Sequence, residues 1–295
     1  MAITRDRLRA LFGMEDVRLE LLGSKAEDRG TYVIEWLRFA SANGEIRGIL
    51  TRPAQAEGAL PAILYSHAHG GHYELGADEL LEGHYDAIDK MGPVFAEAGY
   101  VTLAIDMPTF GERSWQKEST LTKALLWHGK SLFGQMLSEQ AAALGYLGSR
   151  ADVDASRIGA FGISMGSTLS YWLAAVDDRI AATAHLCCFA DFDGMIETGA
   201  HDLHGIYLMV PGLLTQTSTG EIAGLVAPRP QLICVGEADA LTPPATVDKA
   251  FAETKAAYQA AGAADAVTLL REPNSGHADT PRMRAAYMEF FSRTL

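Results

Sequence analysis

Basic residues are scarce in this chain: 24 Lys and Arg stand against 37 Asp and Glu, a net charge of −13 over 295 residues. A nucleic-acid backbone is held by clustered Lys and Arg, so nucleic acid is excluded as an expected partner. Cysteine is scarcer still, with three in all. The count is odd, Cys187 and Cys188 are adjacent, and Cys234 stands alone in an apolar run. That pattern makes no disulfide framework and reads as buried, reduced thiols of a reducing compartment. No stretch reaches the roughly 18 consecutive apolar residues that a membrane span needs. Met1 to Arg9 is charged and lacks the apolar h-region of a signal peptide. A cytoplasmic location and no membrane partner are therefore expected. Internal repeats, low-complexity tracts and Pro-, Gly- or Ser-rich linkers are missing too, so a single domain over residues 1–295 is expected.

What is present is hydrophobic residue, at 48% enough for a sizeable core. It is distributed in alternating strand-like and helix-like segments. Tyr32–Phe39 and Glu45–Thr51 read as an antiparallel pair around the Asn43-Gly44 turn. Six further apolar runs follow: Ala62–Ser66, Val101–Ile105, Arg157–Ile163, Ile180–Cys187, Gln231–Gly236 and Val267–Leu270. Helical patterns fall between them at Tyr85–Ala98, Leu121–Gly148, Ser167–Val176, Ala245–Ala261 and Arg282–Arg293. Such alternation predicts an α/β fold, with a mostly parallel central sheet covered by helices on both faces. Residues 72–89 and 201–221 fit neither pattern. They are expected as insertions beyond strand ends, where such folds build pockets.

The densest chemical signal is Gly162-Ile163-Ser164-Met165-Gly166, which joins an apolar strand to a helical run. Glycines beside the serine permit a sharp turn that lifts its hydroxyl clear of the sheet, the setting of a nucleophile. A serine hydroxyl needs a base to take its proton and a third group to orient that base. On this type of sheet the acid follows the serine in sequence and the histidine follows the acid. Asp239 lies just past the Gln231–Gly236 run, and His277 lies in the loop before the last helix. Glu237, Asp191 and Asp193 are the rival acids, while His185, His201 and His204 come too early for the base. One oxyanion donor is the backbone N–H of Met165; the other is that of His69 or Gly70. Each donor is worth about 3 kcal/mol in the transition state.

His67-x-His69-Gly70-Gly71, Asp106-x-x-x-x-Gly111-Glu112-Arg113-Ser114, Gly162-x-Ser164-x-Gly166, Ala227-Pro228-Arg229-Pro230, Gly236-x-x-Asp239-x-x-x-Pro243 and Gly276-His277 occur in that order. Over roughly 62–277 the chain thereby resembles serine hydrolases of the α/β-hydrolase fold. The similarity is to the dienelactone-hydrolase-like, acetyl xylan esterase-like and prolyl-oligopeptidase-like branch. It implies a triad of Ser164, Asp239 and His277, with an oxyanion hole from the N–H groups of Met165 and His69. Ala68 stands where relatives usually have glycine. The resemblance implies cleavage of a small-molecule carboxylic ester through an acyl-enzyme, without a cofactor. Peptidase, amidase or deacetylase activity on the same triad is the alternative.

Two other readings belong to different classes. His67, His69 and His72 match no complete metal motif, but their spacing could place imidazoles around zinc, although Gly71 supplies no ligand. A non-catalytic relative of the fold is the second. Glu112 and Arg113 are expected to form an ion pair that fixes their loop. Trp115, Trp127 and Tyr207 are expected as core fillers. Oligomeric state is not legible.

Overall fold

The Gly-x-Ser-x-Gly turn sits at the middle of a single sheet in the computed structural model, which describes residues 3–85 and 87–295. The strands are β1 (Glu20–Asp28), β2 (Tyr32–Ser41), β3 (Gly44–Pro53), β4 (Leu60–Ser66), β5 (Val101–Ile105), β6 (Val153–Ile163), β7 (Ala182–Leu186), β8 (Gln231–Gly236) and β9 (Val267–Glu272). The helices are α1 (Arg5–Phe12), α2 (Glu79–Glu82), α3 (Met91–Glu97), α4 (Glu118–Trp127), α5 (Leu132–Ser149), α6 (Met165–Val176), α7 (Phe192–Thr198), α8 (Thr219–Gly224), α9 (Pro244–Ala260) and α10 (Pro281–Thr294). Sheet order is β1-β2-β3-β5-β4-β6-β7-β8-β9. The β1, β2 and β3 pairings and the β3–β5 pairing are antiparallel; every pairing from β5 through β9 is parallel. Parallel strands bring their C-terminal ends, and the loops that follow, to one edge.

Each face of the sheet has its own core. On one side Leu132, Phe133, Leu169, Trp172, Ile222 and Val247 join residues of α5, α6, α8 and α9 over the strands. On the other, Met91 and Phe95 of α3 meet Met283, Tyr287 and Phe291 of α10. The doubly covered α/β arrangement expected from the alternating pattern is the one observed. All three cysteines are buried free thiols. No helix among the described residues is long and apolar enough to cross a membrane.

Three local expectations need correction, and one strand was not foreseen. The helical pattern Leu121–Gly148 is two helices, because Gly129 turns left-handed at φ 67° and Ser131 caps a new helix by accepting from the Gly134 N–H. Of Tyr85–Ala98 only Met91–Glu97 is helical; Tyr85 has φ 44° and His84 bridges Ile88, while Asp86 lies outside the described residues. Strand β1 had no signature, since eight of its nine residues are exposed and no apolar alternation marks it. Trp115 and Trp127 are no core fillers: they are 76% and 90% exposed, whereas Tyr207 is buried.

Glu112 and Arg113 do fix their loop, but not by pairing with each other. Glu112 bonds Arg38, and Arg113 reaches the fully buried Glu139 of α5, with Nη2 to Oε1 at 3.1 Å. Removing one partner of a buried pair strands the other charge. Arg113→Met should therefore cost about 3–5 kcal/mol of stability, read from urea unfolding. A loss below about 1 kcal/mol would mean that water or Asn43 replaces the guanidinium.

Candidate active site

Ser164 occupies the turn between β6 and α6 with φ 58° and ψ −121°, a left-handed conformation rare for a residue with a side chain. The turn is pinned by the Ser164 N–H donating to Leu186 O at 2.9 Å. The flanking glycines have a steric cause. A Cβ on Gly166 would lie 1.9 Å from the Ser66 carbonyl oxygen, and one on Gly162 would lie 2.5 Å from both that oxygen and the Gly166 backbone. The Ser164 turn and the end of β4 are thus in backbone contact.

His277 lies in the loop after β9, and its Nδ1 is 2.7 Å from Asp239 Oδ2. The carboxylate accepts, so Nδ1 carries the proton. Nε2 is buried and has no hydrogen-bond partner among the described residues, Ser164 included. Catalytic hydrogen bonds of unliganded sites are often open and tighten around substrate. Asp239 also accepts from the Leu241 N–H at 2.9 Å and the Thr242 hydroxyl at 3.0 Å. Burial drives this carboxyl upward, but the His277 hydrogen bond and charge and the two local donors outweigh it and hold it below the usual aspartate value. The rival acids are engaged elsewhere. Asp191 caps α7 and pairs with Lys249 at 2.7 Å, Glu237 faces Arg271 at 3.7 Å, and Asp193 is exposed.

The loop after β4 carries His69. Among the described residues its backbone N–H has no acceptor, and the Met165 N–H is the first of α6, where helices leave their donors free. Glycines at φ 48° (Gly70) and 79° (Gly71) shape the loop beyond it. The three histidines of this loop do not converge on a point. His67 is buried, donates from Nδ1 to Ala68 O at 2.9 Å and accepts the Met107 N–H on Nε2 at 3.2 Å. Burial lowers it to about 4. His69 accepts the Gly71 N–H on Nδ1 and donates from Nε2 to Glu118 Oε2 at 2.6 Å. His72 faces Glu74 and Tyr85.

Two carboxylates that carry no sequence signature hold this loop. Glu118 also accepts from the Tyr73 hydroxyl at 3.1 Å and the Tyr207 N–H at 3.3 Å, which ties the loop after β4 to the 201–221 insertion. Glu79, fully buried, accepts the Ala68 N–H on both oxygens at 3.1 and 3.0 Å, and the Tyr65 hydroxyl at 2.7 Å. Within the 72–89 insertion, Asp78 joins Arg47 at 2.7 Å, and Arg47 in turn holds the buried Asp106 at 3.0 Å. That insertion braces the loop. The 201–221 insertion instead lines an apolar cleft with about 520 Å³ of empty space, part of it open to solvent. Its walls include Phe192, Met195, Leu208, Met209, Leu213 and His204. His204 donates from Nε2 to Leu241 O at 3.0 Å, so the cleft abuts the Asp239 loop.

An Asp–His pair and a strained serine on the C-terminal edge of a mostly parallel, doubly covered sheet define the α/β-hydrolase fold. Residues 46–262 match the model of the dienelactone hydrolase family, and the chain belongs to that family. It is thereby an enzyme of ester hydrolysis, a lactone being a cyclic carboxylic ester. The chain is 39% identical over 274 residues to YtaP of Bacillus subtilis (strain 168), provisionally named a hydrolase, covering 92% of this chain and 91% of the relative. An acetyl xylan esterase from Paenibacillus sp. R4 superposes with TM-score 0.68 at 20% identity, covering 99% of this chain and 93% of that one. A glucuronoyl esterase from Solibacter usitatus superposes with TM-score 0.71 at 15% identity, covering 98% and 92%.

Burial pushes the Glu79 carboxyl up to about 7 despite its hydrogen bonds from Tyr65 and Ala68. Ionising near 4.5 when unfolded and near 7 when folded, it binds its proton more tightly in the fold. The stability it contributes is complete below 4.5 and is lost as pH rises through 7. Wild type should lose on the order of 3 kcal/mol relative to Glu79→Gln between those limits, measured by urea unfolding at a series of pH values. Parallel pH profiles for the two proteins would refute it.

Proposed function

We propose that this chain is a serine esterase that cleaves small-molecule carboxylic esters through an acyl-enzyme. The observation that carries the reading is the 2.7 Å His277–Asp239 contact on the sheet edge that bears Ser164 in its strained turn. Ser164 Oγ attacks the ester carbonyl as His277 Nε2 takes its proton. Asp239 keeps the ring in the tautomer that leaves Nε2 free and stabilises the imidazolium. The N–H groups of Met165 and His69 stabilise the oxyanion. The imidazolium protonates the leaving alcohol, and the neutral ring then activates water to release the acid. No cofactor enters this sequence.

The apolar cleft receives the hydrophobic part of the substrate. Its position beside the Asp239 loop supports this assignment, as do walls of aliphatic, Met and Phe side chains. Structural relatives bear esterase names, which accords with ester chemistry on this fold.

Ser164→Ala should lower hydrolysis of p-nitrophenyl acetate by about 10⁴-fold or more with an unchanged circular dichroism spectrum. Retained turnover would overturn the mechanism. Met209→Trp, which fills the cleft, should lower kcat/KM for p-nitrophenyl esters of butyrate and longer acids by about tenfold and leave acetate within about twofold. A uniform loss, or none, across chain lengths would remove the cleft from the substrate site.

A further inference from the structure

Cys187 has no part in the proposed mechanism, yet its sulfur stands beside the residues that do. It follows β7 directly, at φ 51°, and its N–H is tied to Cys234 O at 2.9 Å. The sulfur lies 3.9 Å from the carbonyl of Ala278, the residue after the proposed base. Ligand atoms of Cys187, Asp239 and His277 all lie within 4.8 Å of one another. Among the described residues this is the group of three or more potential ligands, and it brings together one sulfur, one oxygen and one nitrogen.

We propose that Cys187, Asp239 and His277 form a binding site for a thiophilic divalent cation of the zinc and cadmium class, whose occupancy switches the enzyme off. The inhibition half of the proposal rests on the triad reading; the binding half does not. Thiolate, imidazole and carboxylate are the ligands such ions take, at about 2.3 Å for sulfur and 2.0–2.2 Å for nitrogen and oxygen. Tetrahedral ligands at those lengths stand about 3.3–3.6 Å apart. The observed group therefore needs to open between His277 and Asp239 and to close around the sulfur. Two of the three residues are buried and His277 is partly exposed, which leaves one side for entry and for a water as fourth ligand.

The proton balance explains the inhibition. The cation binds His277 Nδ1, between the ring and Asp239; the single proton of the neutral imidazole passes from Nδ1 to Nε2 by way of solvent, and the Cys187 thiol releases its proton to solvent. With its only proton now on Nε2, the ring lacks the lone pair there that it needs to accept from Ser164. Nothing is oxidised or reduced, and the serine is left intact.

Cadmium is the probe of choice, because a thiolate–cadmium bond absorbs in the ultraviolet and reports binding without turnover. Full-length protein is titrated with CdCl2 in chelator-free buffer, following this band and p-nitrophenyl acetate hydrolysis together. Wild type should gain the band at one cadmium per chain and lose turnover over the same range; EDTA should restore it. Cys187→Ala and Cys187→Ser should keep metal-free turnover, lose the band, and need about tenfold or more cadmium for inhibition. Cys188→Ser and Cys234→Ser should behave as wild type. Ser164→Ala should bind cadmium with the same band although it turns over nothing. A band or inhibition that survives in the Cys187 variants, or follows Cys188 or Cys234, overturns the proposal. If Ser164→Ala retains turnover, the esterase mechanism fails, and the band in Cys187→Ala still decides the metal site.

Discussion

The contact on which the site depends is between two backbones. Gly166, in the first turn of α6, leaves no room for a Cβ against the Ser66 carbonyl at the end of β4. The same close approach governs Gly162 on the other side of the serine. Ser66 is followed at once by the loop that carries His69. One steric fit therefore sets the distance between the proposed nucleophile and its proposed oxyanion donor. Between the two glycines the serine is held at φ 58°. A side chain at either glycine would separate β4 from α6 and move both halves of the site.

Such a contact fixes one end of the His69 loop and leaves the other free, and buried polar groups restrain the remainder. Glu79 grips the Ala68 N–H from beneath, Glu118 holds the His69 ring from the side, and Arg47 with Asp78 and Asp106 binds the insertion to the β5 loop. Buried polar groups of this kind add little net stability, because each gives up its hydration. What they supply is directional restraint. A carboxylate that accepts two or three hydrogen bonds holds its donors to a narrow geometry, which hydrophobic contacts of similar area do not. A pre-set oxyanion hole needs that restraint, since its donors must stay unpaired until substrate arrives.

This division of labour explains what could be read from the chain. Apolar runs buried on both faces announce themselves as strands, and a strained serine demands glycine neighbours, so the sheet and the Gly162–Gly166 turn were legible. The pairing of Asp239 with His277 was legible by order, each falling just beyond a strand. The restraining groups were not. Glu79 and Glu118 resemble any surface glutamate until the fold buries them, and nothing local records a partner 11 or 49 residues away. Strand β1 was invisible for the opposite reason: it pairs by backbone at an exposed edge and places almost no side chain in the core. Trp115 and Trp127 misled because hydrophobicity indicates burial only where an element packs over them, and α4 leaves the Trp127 ring in solvent.

The same reasoning bears on specificity. The sheet edge presents the reactive groups in an order that the fold dictates, and the proposed chemistry needs nothing more. The apolar cleft is built from the insertion after β7, which no strand pairing constrains. Glu118 touches both, accepting from the His69 ring and from the Tyr207 N–H, and the His69 ring also stacks on the Tyr207 ring at 4.8 Å. The His69 loop and the wall of the cleft are therefore held to each other by a buried carboxylate and by ring contact.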